Sequence, residues 1–411
     1  MKIKQVDRRL LTILLIVFVN ILGASMVLPV LPLYALRRFE MPPQLITLLG
    51  ASFFLAQAIA SPYLGRLSDR YGRVPILIIS QIGTAVSFVM IAQAQSVAML
   101  FAARILDGIT GGNIIVAQAY ITDITPREKR TQSLGLVFAA FGLGFVFGPA
   151  LGGLLSGLFG PAVPFYLAAL AATAVVILTY FTLDETLSPA QRQQNRQRGR
   201  GRLSIKHIIT NYPLVIVLLL TFVGQFALGL LQSTFALYGA AVLFAGYTQR
   251  ITDLGIGLLL TVVGVTQLIT QLIILPRTLK RLNETVIIAL GLIVRALGLF
   301  IFAIVTVPWL GAFGSVFFAL GMGLLMPPLQ STATRTVGDE VRGEVLGVNQ
   351  SVVSISTIIS TAVSGAIFAL SPTLPYEIGA LLSILTLPLV LVLHKAMPPE
   401  KSNNPATAVS D

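Results

Sequence analysis

The chain contains no cysteine and only two histidines, His207 and His394. A disulfide framework and a thiol nucleophile are therefore excluded, and a His-rich metal centre has no ligands to draw on. Charge is scarce as well: Asp, Glu, Lys and Arg make up 11% of 411 residues, less than half the share a soluble domain carries. Neither GxxxxGK[ST] nor HExxH occurs, which argues against an ATP-driven pump and a zinc hydrolase. A channel would need a pore-lining charge ring or a filter loop, and neither is visible.

What remains is apolar. Hydrophobic residues make up 55% of the chain and the mean hydropathy is +0.87. Roughly 20 apolar residues cross a bilayer core as a helix, and runs of that kind recur along almost the whole length. They are continuous rather than alternating, so strands are disfavoured. Twelve spans are predicted, near 10–34, 45–64, 76–94, 98–122, 132–157 and 162–183, then 213–237, 252–275, 285–305, 309–333, 345–369 and 374–394. The first is too long for the apolar core of a secretory signal. An all-α polytopic fold follows, with bundles at 1–183 and 212–395, a basic linker at 184–211 and a polar tail at 396–411.

The net charge of +12 could point to nucleic acid, but the cations sit between the apolar runs. With the N-terminus cytoplasmic, 23 Lys and Arg fall on the cytoplasmic side. Three (Arg37, Arg38, Arg250) fall opposite, and two (Arg104, Arg295) lie within spans. That bias predicts cytoplasmic termini and an even number of crossings. It also makes the bilayer, not nucleic acid, the partner.

The halves echo one another. Arg66-x-x-Asp69-Arg70-x-Gly72 follows span two, and Arg277-x-x-Lys280-Arg281-x-Asn283 follows span eight. Arg130-x-x-x-Leu134-Gly135 precedes span five, and Arg342-x-x-x-Leu346-Gly347 precedes span eleven. Offsets of 211 and 212 suggest a duplicated six-helix unit, the usual plan of secondary transporters, whose site lies between the repeats.

An ionisable residue inside a span costs a few kcal/mol, about 3 on lenient scales, and is a functional candidate by default. Of the sixteen acids, Asp107 is placed in the interior of a span, well away from its ends, with Asp123 at an end. Arg104 lies one helical turn from Asp107, so a mutual ion pair and a proton-exchange site are both open readings. Arg295 has no acid nearby in its own segment and is predicted to be structural or to snorkel. Asn20, Asn113, Gln118, Gln225, Gln232 and Gln330 are candidate cavity residues. Gln118 is eleven residues from Asp107 and is expected on the same helix face. Scattered amides in an apolar cavity suit amphipathic or aromatic cargo.

Gly65-Arg66-Leu67-Ser68-Asp69-Arg70-Tyr71-Gly72-Arg73 resembles the signature loop of the major facilitator superfamily, and the likeness extends over essentially the full length. Span five carries Gly144, Gly148, Pro149, Gly152 and Gly153, similar to the drug–proton antiporters within that superfamily, including tetracycline-type exporters. The small residues permit close helix approach and Pro149 should bend the helix. The resemblance implies twelve helices in two pseudo-symmetric bundles and a non-enzymatic exporter without cofactor. The proton gradient would drive it, and it would work as a monomer in the cell inner (plasma) membrane. It further implies a cytoplasmic latch built on Gly65, Asp69, Arg70, Gly72 and Arg73. In that latch Asp69 faces the start of span eleven and Arg73 faces Asp123. A metabolite or lipid exporter of the same fold, or a non-transporting receptor or scaffold, would share these features.

Overall fold

The computed structural model describes residues 8–111, 113–126, 130–187, 208, 210–338 and 341–396. Among the described residues, twelve helices are long and apolar enough to cross a membrane. In lipid no water satisfies the backbone, so each crossing segment closes its own hydrogen bonds as a helix. The first half holds α1 (Arg8–Phe39), α2 (Pro43–Tyr71), α3 (Arg73–Ala92), α4 (Val97–Ile124), α5 (Arg130–Phe159) and α6 (Val163–Thr182). The second holds α7 (Tyr212–Leu243), α8 (Gln249–Leu279), α9 (Glu284–Ile304), α10 (Pro308–Arg335), α11 (Arg342–Leu370) and α12 (Leu374–Ala396). Several starts have a local cause. Ser96 and Asn211 side chains accept first-turn N–H groups at 3.2 Å, and prolines open α2, α6, α7, α10 and α12, where a missing N–H costs nothing.

Several helices depart from regular geometry. Helix α4 breaks at Gly111 between Val97–Thr110 and Asn113–Ile124, and the Gln57 amide donates to the Gly111 carbonyl at 3.0 Å. Asp107 lies before this break and Gln118 after it. Helices α7 and α8 each carry a π turn, at Gly239–Leu243 and Thr270–Ile274.

Within each half the helices pack mainly on one another, and the halves meet through α5 with α8, α2 with α11, and α1 with α7. Under the 211–212 offset, α2 corresponds to α8 and α5 to α11. The two long crossings are therefore copies of each other. Gly153 of α5 and Gly365 of α11, 212 residues apart, play the same part. A Cβ on Gly153 would lie 2.5 Å from the Asp253 carbonyl oxygen, and one on Gly365 would strike the Pro43 carbonyl oxygen.

The seal between the halves is on one side only. A single hydrophobic cluster joins Tyr34 and Leu49 to Phe235, Tyr238, Phe302 and Tyr376 at the end away from the linker. Toward the linker the apolar packing splits into clusters that each belong to one half. There Gly65 and Gly347 have no neighbour within 4 Å of a built Cβ. The molecule is closed at the α1–α2 end and parted at the linker end.

The first residues of the linker, 184–187, contact the first half. Leu183 and Leu187 are buried, and Asp184 pairs with Arg9 at 2.6 Å. The Arg- and Gln-rich part of the linker and the tail from 397 lie outside the described residues.

The glycine crossings give a testable contrast. Gly153→Val forces a branched side chain into the Asp253 backbone and is expected to cost about 2 kcal/mol. Gly65→Ala meets open space and should stay within about 0.5 kcal/mol. Thermal unfolding of both variants in detergent checks the difference.

Candidate functional site: an ion pair beside a two-part cavity

Arg104 and Asp107 sit on the first piece of α4, one turn apart, and both are buried. Arg104 Nη1 donates to Asp107 Oδ2 at 2.8 Å. The guanidinium lies over the Phe53 ring of α2, 4.2 Å from its centroid, and Arg104 Nε has no acceptor. Thr84 and Ser87 of α3 stand beside the carboxylate. Gly108 makes this possible: a Cβ there would meet the Phe53 carbonyl oxygen and, at 2.8 Å, Ala56 Cβ. Only a glycine lets α4 press its charged turn against α2. Breaking such a pair by removing one partner typically costs ~3–5 kcal/mol, because the other charge is left buried.

Between the halves lies an apolar cavity of about 310 Å³. Pro149 and Phe145 of α5, Gln232 of α7 and Gln267 and Gln271 of α8 line it. A recess of about 80 Å³ adjoins it, bordered by Arg104, Phe54, Gln232 and Ser233. Leu28 and Gln232 border both spaces. Of the six amide candidates, Gln232 alone borders either space. Asn20 and Gln118 are half-buried elsewhere, and Gln330 is exposed on α10. The Gln225 amide donates to Met326 Sδ at 3.2 Å, and the Asn113 side chain lies outside the described residues. Gln267 and Gln271 were missed, although their spacing of four in an apolar span marks a polar stripe on one helix face.

The span-five glycines face two ways. Gly144, Gly148 and Gly152 pack on Ile21, Ser25 and Met26 of α1. Gly153 and the Pro149 carbonyl oxygen abut Gly257 of α8, and the Phe145 carbonyl oxygen abuts Gly264. Pro149 has no N–H to offer Phe145. The freed carbonyl therefore falls at the cavity wall.

Near the linker, the signature segment is helix rather than loop. Gly65, Asp69 and Arg70 belong to the last turns of α2, and the reversal occurs at Gly72 alone, with φ 112°. Only a residue without Cβ adopts that backbone readily. Arg73 pairs with Asp69 at 2.8 Å and with Asp123 at 3.0 Å. Glu185 accepts from the backbone N–H groups of Arg73 and Val74, where the positive end of α3 favours a carboxylate. Arg70 lies over Tyr71. Asp69, expected to face the start of span eleven, binds Arg73.

Two further charges are buried. Asp253 joins Asp107 as a buried acid among the described residues, in the second turn of α8. It pairs with Arg37 of α1 at 2.8 Å and accepts from Ser156 Oγ of α5 at 2.8 Å. Its place near a span end, after Arg250 and Thr252, disguises it as a boundary residue. Arg295 does not snorkel. It is fully buried, donating to Ser383 Oγ at 2.9 Å and to the Gly224 carbonyl at 3.0 Å.

The Arg37–Asp253 pair ties the halves at the closed end. Asp253→Asn is expected to weaken that tie by ~1 kcal/mol, raising the opposite-facing population roughly fivefold. Spin labels on cysteines introduced at Glu40 and Tyr247 of this cysteine-free chain would report it as a longer distance component. An unchanged distribution would show that the pair does not hold the closed end.

The sequence model of the Major Facilitator Superfamily matches residues 13–248 and 227–409. A class C tetracycline resistance protein of Escherichia coli is 32% identical over 389 residues, covering 93% of this chain and 96% of that protein. Multidrug resistance protein 2 of Bacillus subtilis (strain 168) is 28% identical, covering 95% of each. Among solved structures, the nucleoside transporter NupG matches with a TM-score of 0.76 at 14% identity, over 95% of this chain and 100% of that one. At that identity the likeness concerns fold alone. With twelve spanning helices in two six-helix halves and a cavity between them, the chain belongs to the Major Facilitator Superfamily and is a small-molecule secondary transporter, not an enzyme.

Proposed function

We propose that the protein exports small amphipathic or aromatic molecules in exchange for protons, by alternating access, as a monomer in the cell inner (plasma) membrane with both termini cytoplasmic. The observation that carries this reading is the buried Arg104–Asp107 pair, set beside a cavity walled by both halves. A proton arriving at Asp107 neutralises the carboxylate and frees Arg104 Nη1. Its departure restores the pair. The two protonation states therefore differ in the contacts available at the cavity wall, which is what coupling requires. The glycine–proline pattern of α5 and the relatives named for tetracycline and multidrug resistance support export of drug-like cargo.

In this cycle the closed end opens by release of Asp253 from Arg37, while the linker end closes as Asp69 approaches α11. Arg73, Asp123 and Glu185 hold the α2–α3 turn in shape throughout. Arg295 anchors α9 to α12 and α7 through Ser383 and Gly224, away from the exchange.

Reconstituted vesicles test the coupling. Addition of a transported drug should drive proton movement through wild type, and Asp107→Asn should lose it while still melting cooperatively. In a pump-deficient host, wild type should raise drug tolerance and Asp69→Asn should lower that gain. Full substrate-driven proton flux through Asp107→Asn would exclude Asp107 as the carrier.

A further inference from the structure

The charges around the cavity point to the electrical class of the cargo. Among the described residues that border the 310 Å³ cavity and its 80 Å³ recess, Arg104 alone is charged. Its carboxylate partner does not line either space. The other buried acid, Asp253, is held by Arg37 and Ser156 at the closed end. Behind the cavity wall stands a second cation: Arg295 Nη1 lies 3.8 Å from the sulfur of Met322, which lines the cavity. Arg295 has only neutral partners. At cavity depth, two guanidiniums thus face one carboxylate among the described residues. In a low-dielectric interior an excess cation attracts anions and repels cations.

Arg104 also has unused bonding capacity. A guanidinium carries five N–H donors. Nη1 serves Asp107 at 2.8 Å, and Nε is buried without an acceptor. The recess it borders has room for a small anionic group, and Gln232 and Ser233 add polar atoms from the other half. Since Leu28 and Gln232 border both spaces, a molecule with an apolar body in the cavity places its head beside Arg104. We infer that this transporter takes amphipathic organic monoanions, with the carboxylate or equivalent acidic group bound by Arg104 in the recess and the aromatic or aliphatic body in the cavity. The inference deepens the export reading by naming its cargo, and it relies on that reading only for the direction of movement.

Asp107 and the cargo's acidic group compete for one guanidinium. Neutralising Asp107 should therefore strengthen anion binding, although it removes proton coupling. That opposition separates the two readings experimentally. Equilibrium dialysis of the purified full chain in detergent would compare three probes of one shape: 2-naphthoate, 2-naphthamide and a naphthylmethyl trimethylammonium ion. A charge-assisted hydrogen bond predicts that 2-naphthoate binds about tenfold or more tighter than the amide, with the ammonium ion weakest. Asp107→Asn should bind 2-naphthoate more tightly than wild type. The double variant Arg104→Gln/Asp107→Asn leaves no unpaired carboxylate to unfold the chain, and it should lose the preference for the anion.

Equal binding of the three probes, preference for the ammonium ion, no binding of any, or anion preference surviving in the double variant would each overturn the assignment. Anion binding with these variant effects, together with proton-independent transport, would uphold it and remove the antiport reading instead.

Discussion

Backbone-to-backbone approach at glycine is the constraint on which the rest of this structure depends. Helix α5 lies between α1 of its own half and α8 of the other, with no side chain to spare on either face. Gly144, Gly148 and Gly152 admit α1; Gly153, Gly257 and Gly264 admit α8. Lipid offers no hydrophobic drive for helices to associate, so such contacts rest on dispersion and shape. The matching crossing of α2 with α11 uses Gly365 in the same way. Where the two crossings hold, the halves are sealed. Below them a cavity opens, and Pro149 sits at its wall.

The second constraint is electrostatic. A charge at membrane depth must find its partner within the protein, and each solves that differently. Asp107 and Arg104 neutralise one another within one turn of α4. Asp253 and Arg37 do so across the halves, and in doing so they link the packing of α8 to α1. Arg295 finds no carboxylate and is held by a hydroxyl, a carbonyl and a sulfur. Near the linker the charged side chains form a connected set around Arg73, in which Glu185 and Thr186 come from beyond the last helix of the half. The start of the linker is therefore part of the first half.

Much of the fold is legible in the sequence, because a bilayer reduces fold to a count of apolar runs and a tally of cations between them. All twelve helices lie where those runs lie. Their ends run further: α1 reaches Phe39 and α2 reaches Tyr71, since a helix continues past the apolar core while Arg and Tyr side chains can reach the interface. The Arg104–Asp107 contact follows from their spacing alone. What pattern cannot reveal is anything that depends on two helices at once. Gly153 and Gly365 declare their shared role only when α8 and α2 are seen against them. The break at Gly111 is met by the amide of Gln57, a residue 54 positions away, a contact that periodicity through α4 alone does not carry. The recess needs Gln232 and Ser233 from one half to enclose Arg104 of the other. Amides chosen one by one could not disclose it.

The position of the α5–α8 crossing has a mechanical consequence. Gly153 lies near the sealed end of α5, 23 residues from Arg130 at the parted end. At the helical rise that is a lever of roughly 35 Å. A rocking of about 10° around the crossing would then sweep the far end by roughly 6 Å, while atoms at the crossing scarcely move. The fulcrum lies beside the Asp253 contact and the load is carried at the linker end. A rearrangement of a single ion pair near the fulcrum is thereby geared up into a doorway wide enough for a small molecule.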